Sequence, residues 1–196
     1  EISVKNSTTV KGIGDDCAVL APTEGMQTVV TTDLLMEGIH FDLTYVPLRH
    51  LGYKAVMVNL SDVFAMNAEP RQVTVSLALS SKFKVEDVEE LYAGMRLACE
   101  LHHVDIVGGD TTSSLTGLAI SITAIGDAPK DKIVYRNGAK ATDLICVSGN
   151  LGAAYMGLQL LEREKSVFMG EGSAQPDFAG KEYLLERQLK PEARRD

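Results

Sequence analysis

Five aspartates stand where chemistry could use them. Asp15 and Asp16 follow a glycine in GIGDD, Asp33 closes VVTTD, Asp62 follows VNLS, and Asp110 follows VGG. Each lies beside small or hydroxyl residues, just after an apolar segment. Carboxylates buried without partners are costly, so those at the ends of core elements are usually paired or bound to metal. Several so placed can converge on one point. Oxygen donors without a histidine or cysteine cluster select hard cations such as magnesium, which takes one or two carboxylates and completes its shell with water and substrate phosphate. Thr31 and Thr32 can add hydroxyl or carbonyl oxygens. Taken singly, each aspartate is better explained as a helix cap or a turn residue. The metal reading rests on the set.

Gly108–Gly109–Asp110–Thr111–Thr112 is the second feature. Two glycines after a buried strand let backbone N–H groups approach an anion, although a plain turn would use the same residues. Neither a Walker nor a Rossmann glycine pattern is present. Asn59 and Asp62 are three apart on one helix face, fit either for function or for an internal hydrogen bond that fixes packing. His40 follows Asp33 by seven residues, leaves the same strand end and could donate to a phosphate; a surface loop histidine is the plainer account. Arg136 could grip a phosphate bidentately or merely decorate a turn. His102 and His103 end a helix, where the dipole explains them.

The formal net charge is −8, which argues against nucleic acid or an anionic membrane as a partner. An acidic protein that binds a polyanion needs cations between the two. No run of about eighteen apolar residues indicates a membrane span. Cys17, Cys99 and Cys146 are far apart in apolar surroundings with no C-x-x-C spacing, so the expectation is three buried, reduced thiols in a cytoplasmic protein.

Periodicity supplies the elements that must position these groups. Gln27–Thr32, Gln72–Leu79, Val104–Val107, Leu118–Ile125 and Leu144–Val147 read as strands,. Leu51–Met66, Val85–His103 and Gly152–Glu164 read as helices, the first apolar nearly all round and therefore buried,. Ser166–Gly180 reads as a mobile loop. The expected class is α/β or α+β, with a mixed or antiparallel sheet covered on one face. NGAKATD, from Asn137, marks a boundary between residues 1–136 and 137–196, the latter the start of an incomplete second domain,.

GIGDDCAVL, TTDLLMEGIHF, LGYKAVMVNLSDVFAMNAEP, VGGDTT and YRNGAKATDLICVSGNLG occur in that order. Together they resemble the thiamine-monophosphate kinase family, of the aminoimidazole-ribonucleotide-synthetase-like superfamily. The resemblance implies an N-terminal domain whose strands join those of a second copy in a dimeric barrel, followed by an α/β domain. It implies transfer of the γ-phosphoryl group of ATP to thiamine monophosphate, with several magnesium ions bridging the phosphates. By motif, Asp16, Thr31, Thr32, Asp33, Asp62 and Asp110 match metal ligands, with Asp15 a helper. His40 matches the position that contacts the thiamine phosphate, and Tyr92, Gly109, Asp110 and Arg136 match nucleotide positions. No general base is implied, because an ionised acceptor phosphate is already nucleophilic. Where the family reads AMGA, this chain has Asn67, which tolerates the same left-handed backbone. The family's later ISDGL-like acidic segment is absent. Alternatives are a hydrogenase-maturation or selenophosphate synthetase-like relative, or a non-catalytic nucleotide-binding module.

Overall fold

A computed structural model describes residues 4–171 and 175–195 of the chain. It is a mixed α/β structure of six strands and four helices among the described residues: β1 (Thr9–Lys11), β2 (Val19–Leu20), β3 (Met26–Met36), α1 (Leu48–Ala65), β4 (Glu69–Leu79), α2 (Val85–Leu101), β5 (Asp105–Ser113), β6 (Ala119–Pro129), α3 (Ala153–Glu171) and α4 (Glu182–Leu189). β1 and β2 form a small ribbon. The main sheet has the order β3-β6-β4-β5, with β4 and β5 parallel and the other pairs antiparallel.

The alternation along the strands decides which face is covered. Val73, Val75 and Leu77 of β4 and Ile120, Ile122 and Ala124 of β6 are buried on the side covered by α1, while α2 packs against α1 and β5. The opposite face carries small and hydroxyl residues together with Val30 and Leu34 of β3, which are 64% and 54% exposed. The expected one-sided sheet is what forms.

α1 is buried at nine of its positions, including Leu51, Met57 and Leu60, as its nearly continuous apolar sequence requires. Each such side chain contributes about 2 kcal/mol on leaving water. The helix starts at Leu48, directly after Pro47 in extended conformation. It is followed by Asn67 in the left-handed region at φ 56°, where Asn67 Nδ2 also donates to the Lys132 carbonyl at 2.8 Å. α2 opens with Glu86 and Asp87 in its first turn, and Asp87 accepts from the Lys84 N–H at 2.8 Å.

α1 and α2 cross in backbone contact. A Cβ added to Gly52 would lie 1.9 Å from the Leu91 carbonyl oxygen, and one added to Gly94 would lie 1.8 Å from that of Arg49. Only glycine at both positions permits so close an approach.

α3 and α4 pack together, and side chains tie this piece back to the first part of the chain. Lys165 of α3 pairs with Asp42, whose carboxyl is held down to about 2 chiefly by that contact. The Tyr53 hydroxyl donates to Glu192 at 2.8 Å, and Arg195 reaches Glu69 with contacts of 2.8 and 2.9 Å.

Several sequence expectations are corrected. β3 does not stop at Asp33 but runs to Met36, because Leu34–Met36 continue the ladder with Ser121–Ala119. Leu144–Val147 forms no strand; no partner strand lies beside it among the described residues, and Leu144 and Ile145 are open to solvent. α3 extends to Glu171, so the first part of the expected loop is helical, and 172–174 lie outside the described residues. Cys17 and Cys146 are exposed; only Cys99 is buried, and burial pushes its thiol up to about 12. No helix among the described residues is long and apolar enough to cross a membrane.

Candidate active site

Two groups of the sequence-selected residues emerge. Thr31 and Asp33 project from the helix-facing side of β3, since residues two apart share a face. Asp62 meets them from the last turn of α1. The Thr31 hydroxyl donates to Asp62 Oδ2 at 2.9 Å. Asn59, one turn before Asp62, accepts from the Asp33 N–H at 3.0 Å and donates to the Ala55 carbonyl at 3.0 Å. The polar pair on this apolar helix therefore divides its work: Asn59 locks α1 to β3, and Asp62 is left facing Asp33. Burial and the Asp62 charge, in that order, raise the Asp33 carboxyl above the usual carboxylate value, with His40 acting in the opposite direction. His40 Nδ1 accepts from the Met36 N–H at 3.0 Å, which leaves its proton on Nε2,. Thr31 and Asp62 line a cavity of about 490 Å³ together with Tyr135 and Arg136.

The second group faces another cavity of about 500 Å³, lined by Asp15 and Asp16 from one segment and Gly109 and Asp110 from another, and by Tyr92. Burial raises the Tyr92 hydroxyl. The glycines do not make a turn. They lie inside β5, which stays paired with β4 through Thr74↔Gly108 and Val75↔Gly109 after a register shift that skips Val107. Bulges of this kind re-aim a strand near functional sites. A Cβ on Gly109 would stand 1.9 Å from the Val75 carbonyl oxygen, so the approach of β5 to β4 requires glycine there. The carboxylates of both segments are exposed and bond locally: Asp15 accepts from the Asp16 N–H at 3.0 Å and Asp110 from the Thr111 N–H at 2.9 Å.

Two placements differ from a single convergent site. The Thr32 hydroxyl is on the other face of the sheet, donating to the Ile122 carbonyl and accepting from Thr123, both at 3.1 Å. Arg136 lines the cavity of Asp62, not that of Gly109 and Asp110. Among the described residues, no three His, Cys, Asp or Glu side chains are grouped closely enough to form a metal centre by themselves. What fits a cation is the Asp33–Asp62 pair: two carboxylates, a hydroxyl and no soft donor, with one carboxyl already disfavoured in its charged form,. A larger, mainly apolar cavity of about 620 Å³, between the approach to α1 and α3–α4, contains none of the five aspartates.

The family described as AIR synthase related protein, N-terminal domain, matches residues 14–128. The chain belongs to this AIR synthase related family. The matched span contains both carboxylate groups, from Asp15 to Asp110, and ends one residue before the end of β6. Within the family, the chain is 35% identical over 192 residues to the thiamine-monophosphate kinase of Bacillus subtilis, covering 98% of this chain and 57% of the relative. The crystal structure of the thiamine-monophosphate kinase from Stenotrophomonas maltophilia K279a superposes with a TM-score of 0.83 at 34% identity, over 97% of this chain and 58% of that one. A structure of AaThiL complexed with AMPPCP and TMP gives 0.76 at 36% identity, over 90% and 53%. The chain thus spans a little over half the length of the relatives it matches.

Proposed function

We propose that this chain is the nucleotide- and metal-binding part of an enzyme that transfers the γ-phosphoryl group of ATP to thiamine monophosphate, giving ADP and thiamine diphosphate. The observation that carries the reading is the meeting of Asp33 and Asp62 beside Thr31, with Arg136 lining the same cavity as Thr31 and Asp62. Phosphoryl transfer needs alignment and charge stabilisation more than covalent help. An acidic pair whose Asp62 shares a cavity with a guanidinium provides the two halves of that requirement, one for cations and one for phosphate oxygens.

In this reading Asp33 and Asp62 would hold magnesium with Thr31, and Asp16 and Asp110, helped by Asp15, would hold it at the second cavity. Magnesium, when bound, neutralises the phosphates of both substrates. Thr32 contributes through its carbonyl, because its hydroxyl is engaged within the sheet. Gly109 and Asp110 receive the nucleotide with Tyr92 at its side, Arg136 grips a phosphate, and the Nε2–H of His40 donates to the phosphate of thiamine monophosphate. No side chain is needed as a general base. Residues 1–136 form the nucleotide-binding and dimerisation unit, and residues 137–196 begin a second domain. The open sheet face with Val30 and Leu34 supports pairing with a second copy, closing a barrel,. The relatives named above support the choice of substrates, and the remainder of their length is where further contacts to thiamine belong. Magnesium dependence and a cytoplasmic setting complete the proposal.

The cation reading has a direct thermal test. Asp33 has a raised folded-state pKa, so the folded chain binds more protons than the unfolded one between the ordinary carboxylate value and the raised one. Stability therefore falls as pH rises through that window and stays lower above it,. Without metal, Asp33→Asn removes the repulsion with Asp62. We expect its Tm to exceed that of the wild type at neutral pH and to converge with it below about pH 4. Magnesium should raise the wild-type Tm at neutral pH and leave that of the variant nearly unmoved. A wild-type Tm indifferent to magnesium would remove the support for this pair as a cation site.

A further inference from the structure

Asp105 belongs to neither cavity and to none of the motifs above. It is the first residue of β5, 1% exposed. Its carboxylate accepts three hydrogen bonds from the incoming N-terminal segment: from the Lys5 N–H at 2.8 Å, the Asn6 N–H at 2.9 Å and the Thr9 hydroxyl at 2.8 Å. Gln72 is its ladder neighbour on β4 and only 2% exposed. From Nε2 it donates to the hydroxyls of Thr8 at 2.7 Å and Thr9 at 2.9 Å. Asn6 adds Nδ2 bonds to the carbonyls of Arg71 and His103 at 2.9 and 2.8 Å. Among the described residues, Asp105 makes no salt bridge. A buried carboxylate surrounded only by neutral donors is an expensive fastening for a plain chain crossing.

The position of this fastening gives it a further role. Downstream of Asp105 on the same strand come Gly108, Gly109 and Asp110, one wall of the 500 Å³ cavity; downstream of Thr9 come Asp15 and Asp16, the other wall. The loop that carries Asp15 and Asp16 is exposed and includes Gly14 at φ 118°. Its side chains make one hydrogen bond among the described residues, the local one between Asp15 and Asp16. Its place opposite β5 is therefore set from its ends. We infer that Asp105 is a positioning residue: through Thr9 and the Lys5–Asn6 amides it fixes the distance between the two acidic walls and so the binding of nucleotide between them. The nucleotide part of this inference rests on the function proposed above.

The test uses the full-length protein with Asp105→Asn and Thr9→Val. The second variant removes one hydroxyl from the network and serves if the first does not fold. Amide hydrogen exchange over residues 12–17, calorimetric affinity for a non-hydrolysable ATP analogue with magnesium, and the KM for thiamine monophosphate are read in parallel. We expect affinity for the analogue to fall about tenfold in Thr9→Val and about a hundredfold in Asp105→Asn, the scale of a small misplacement of binding groups. Exchange over 12–17 should accelerate locally, and the KM for thiamine monophosphate should stay within about twofold. Folded Thr9→Val with wild-type affinity and wild-type exchange over 12–17 would overturn the inference. So would acceleration spread evenly over the chain, the mark of a general stabilising role. If the wild type does not bind the analogue, yet the variants loosen 12–17 selectively, the positioning role stands and the nucleotide reading falls.

Discussion

Asp62→Asn is expected to abolish turnover while leaving the fold intact. The substitution keeps the shape of the side chain and an oxygen able to accept from the Thr31 hydroxyl. It removes one of the two charges that the cation proposed at Asp33 would use. Loss of such a cation forfeits several kcal/mol of charge stabilisation, and about 4 kcal/mol is about a thousandfold in rate. Asp62 is exposed, so no packing is lost. Its charge also raises the Asp33 carboxyl, so without metal the variant should be no less stable than the wild type. Steady-state kinetics and a thermal melt check both halves together. Wild-type turnover in a folded Asp62→Asn variant would remove Asp62 from the site.

The largest expected effect on stability comes from a residue with no part in the chemistry. In Gly94→Ala the new methyl would stand 1.8 Å from the Arg49 carbonyl oxygen, a backbone atom that cannot move without separating α1 from α2. Overpacking at such a crossing costs about 3 kcal/mol or more, which for a chain of this size lowers Tm by roughly 6–12 °C. Gly52→Ala meets the Leu91 carbonyl in the same way and should behave alike. Gly170→Ala is the control. It lies within α3 with nothing inside 4 Å of its added Cβ, so alanine should be neutral or stabilise the helix by up to about 1 kcal/mol,. Because α1 carries Asp62 and Asn59, a destabilised α1–α2 crossing should also weaken the acidic pair. Denaturant unfolding separates the two effects, since any kinetic loss beyond the loss of folded protein measures the weakened pair. Equal midpoints for Gly94→Ala and Gly170→Ala would contradict the close crossing.

The sequence made the acidic residues visible because each follows a run of apolar or small neighbours; it overstated their burial, since Asp15, Asp16, Asp62 and Asp110 are exposed and Asp33 is half-buried. Their partition into two groups was not visible, because it depends on pleat and register. Thr31 and Thr32 are adjacent in sequence and on opposite faces in the sheet, and only the pairing of β3 with β6 decides which faces Asp62. Strand lengths were underestimated for a related reason. Leu34–Met36 and Gly108–Ser113 have no strong period of two and extend their strands because a neighbouring ladder continues. Leu144–Val147 shows the reverse: an apolar run with good β propensity that forms no ladder, as strand formation needs a partner,. Asn59 was legible as a polar break in α1, and the internal hydrogen bond is the role it takes. Asp105 gave no such signal. In HHVDIVGG it falls inside the short apolar strand Val104–Val107, and its three donors come from residues about a hundred positions earlier.

The most direct test of the central claim is thiamine diphosphate formation by the full-length protein from ATP and thiamine monophosphate, assayed with magnesium and with magnesium removed by a chelator. The account predicts thiamine diphosphate and ADP in equal amounts, formed only when magnesium is present and restored when it is added back. A folded protein that binds nucleotide but forms no thiamine diphosphate under either condition would contradict it, leaving a nucleotide-binding member of the AIR synthase related family with a different acceptor or none.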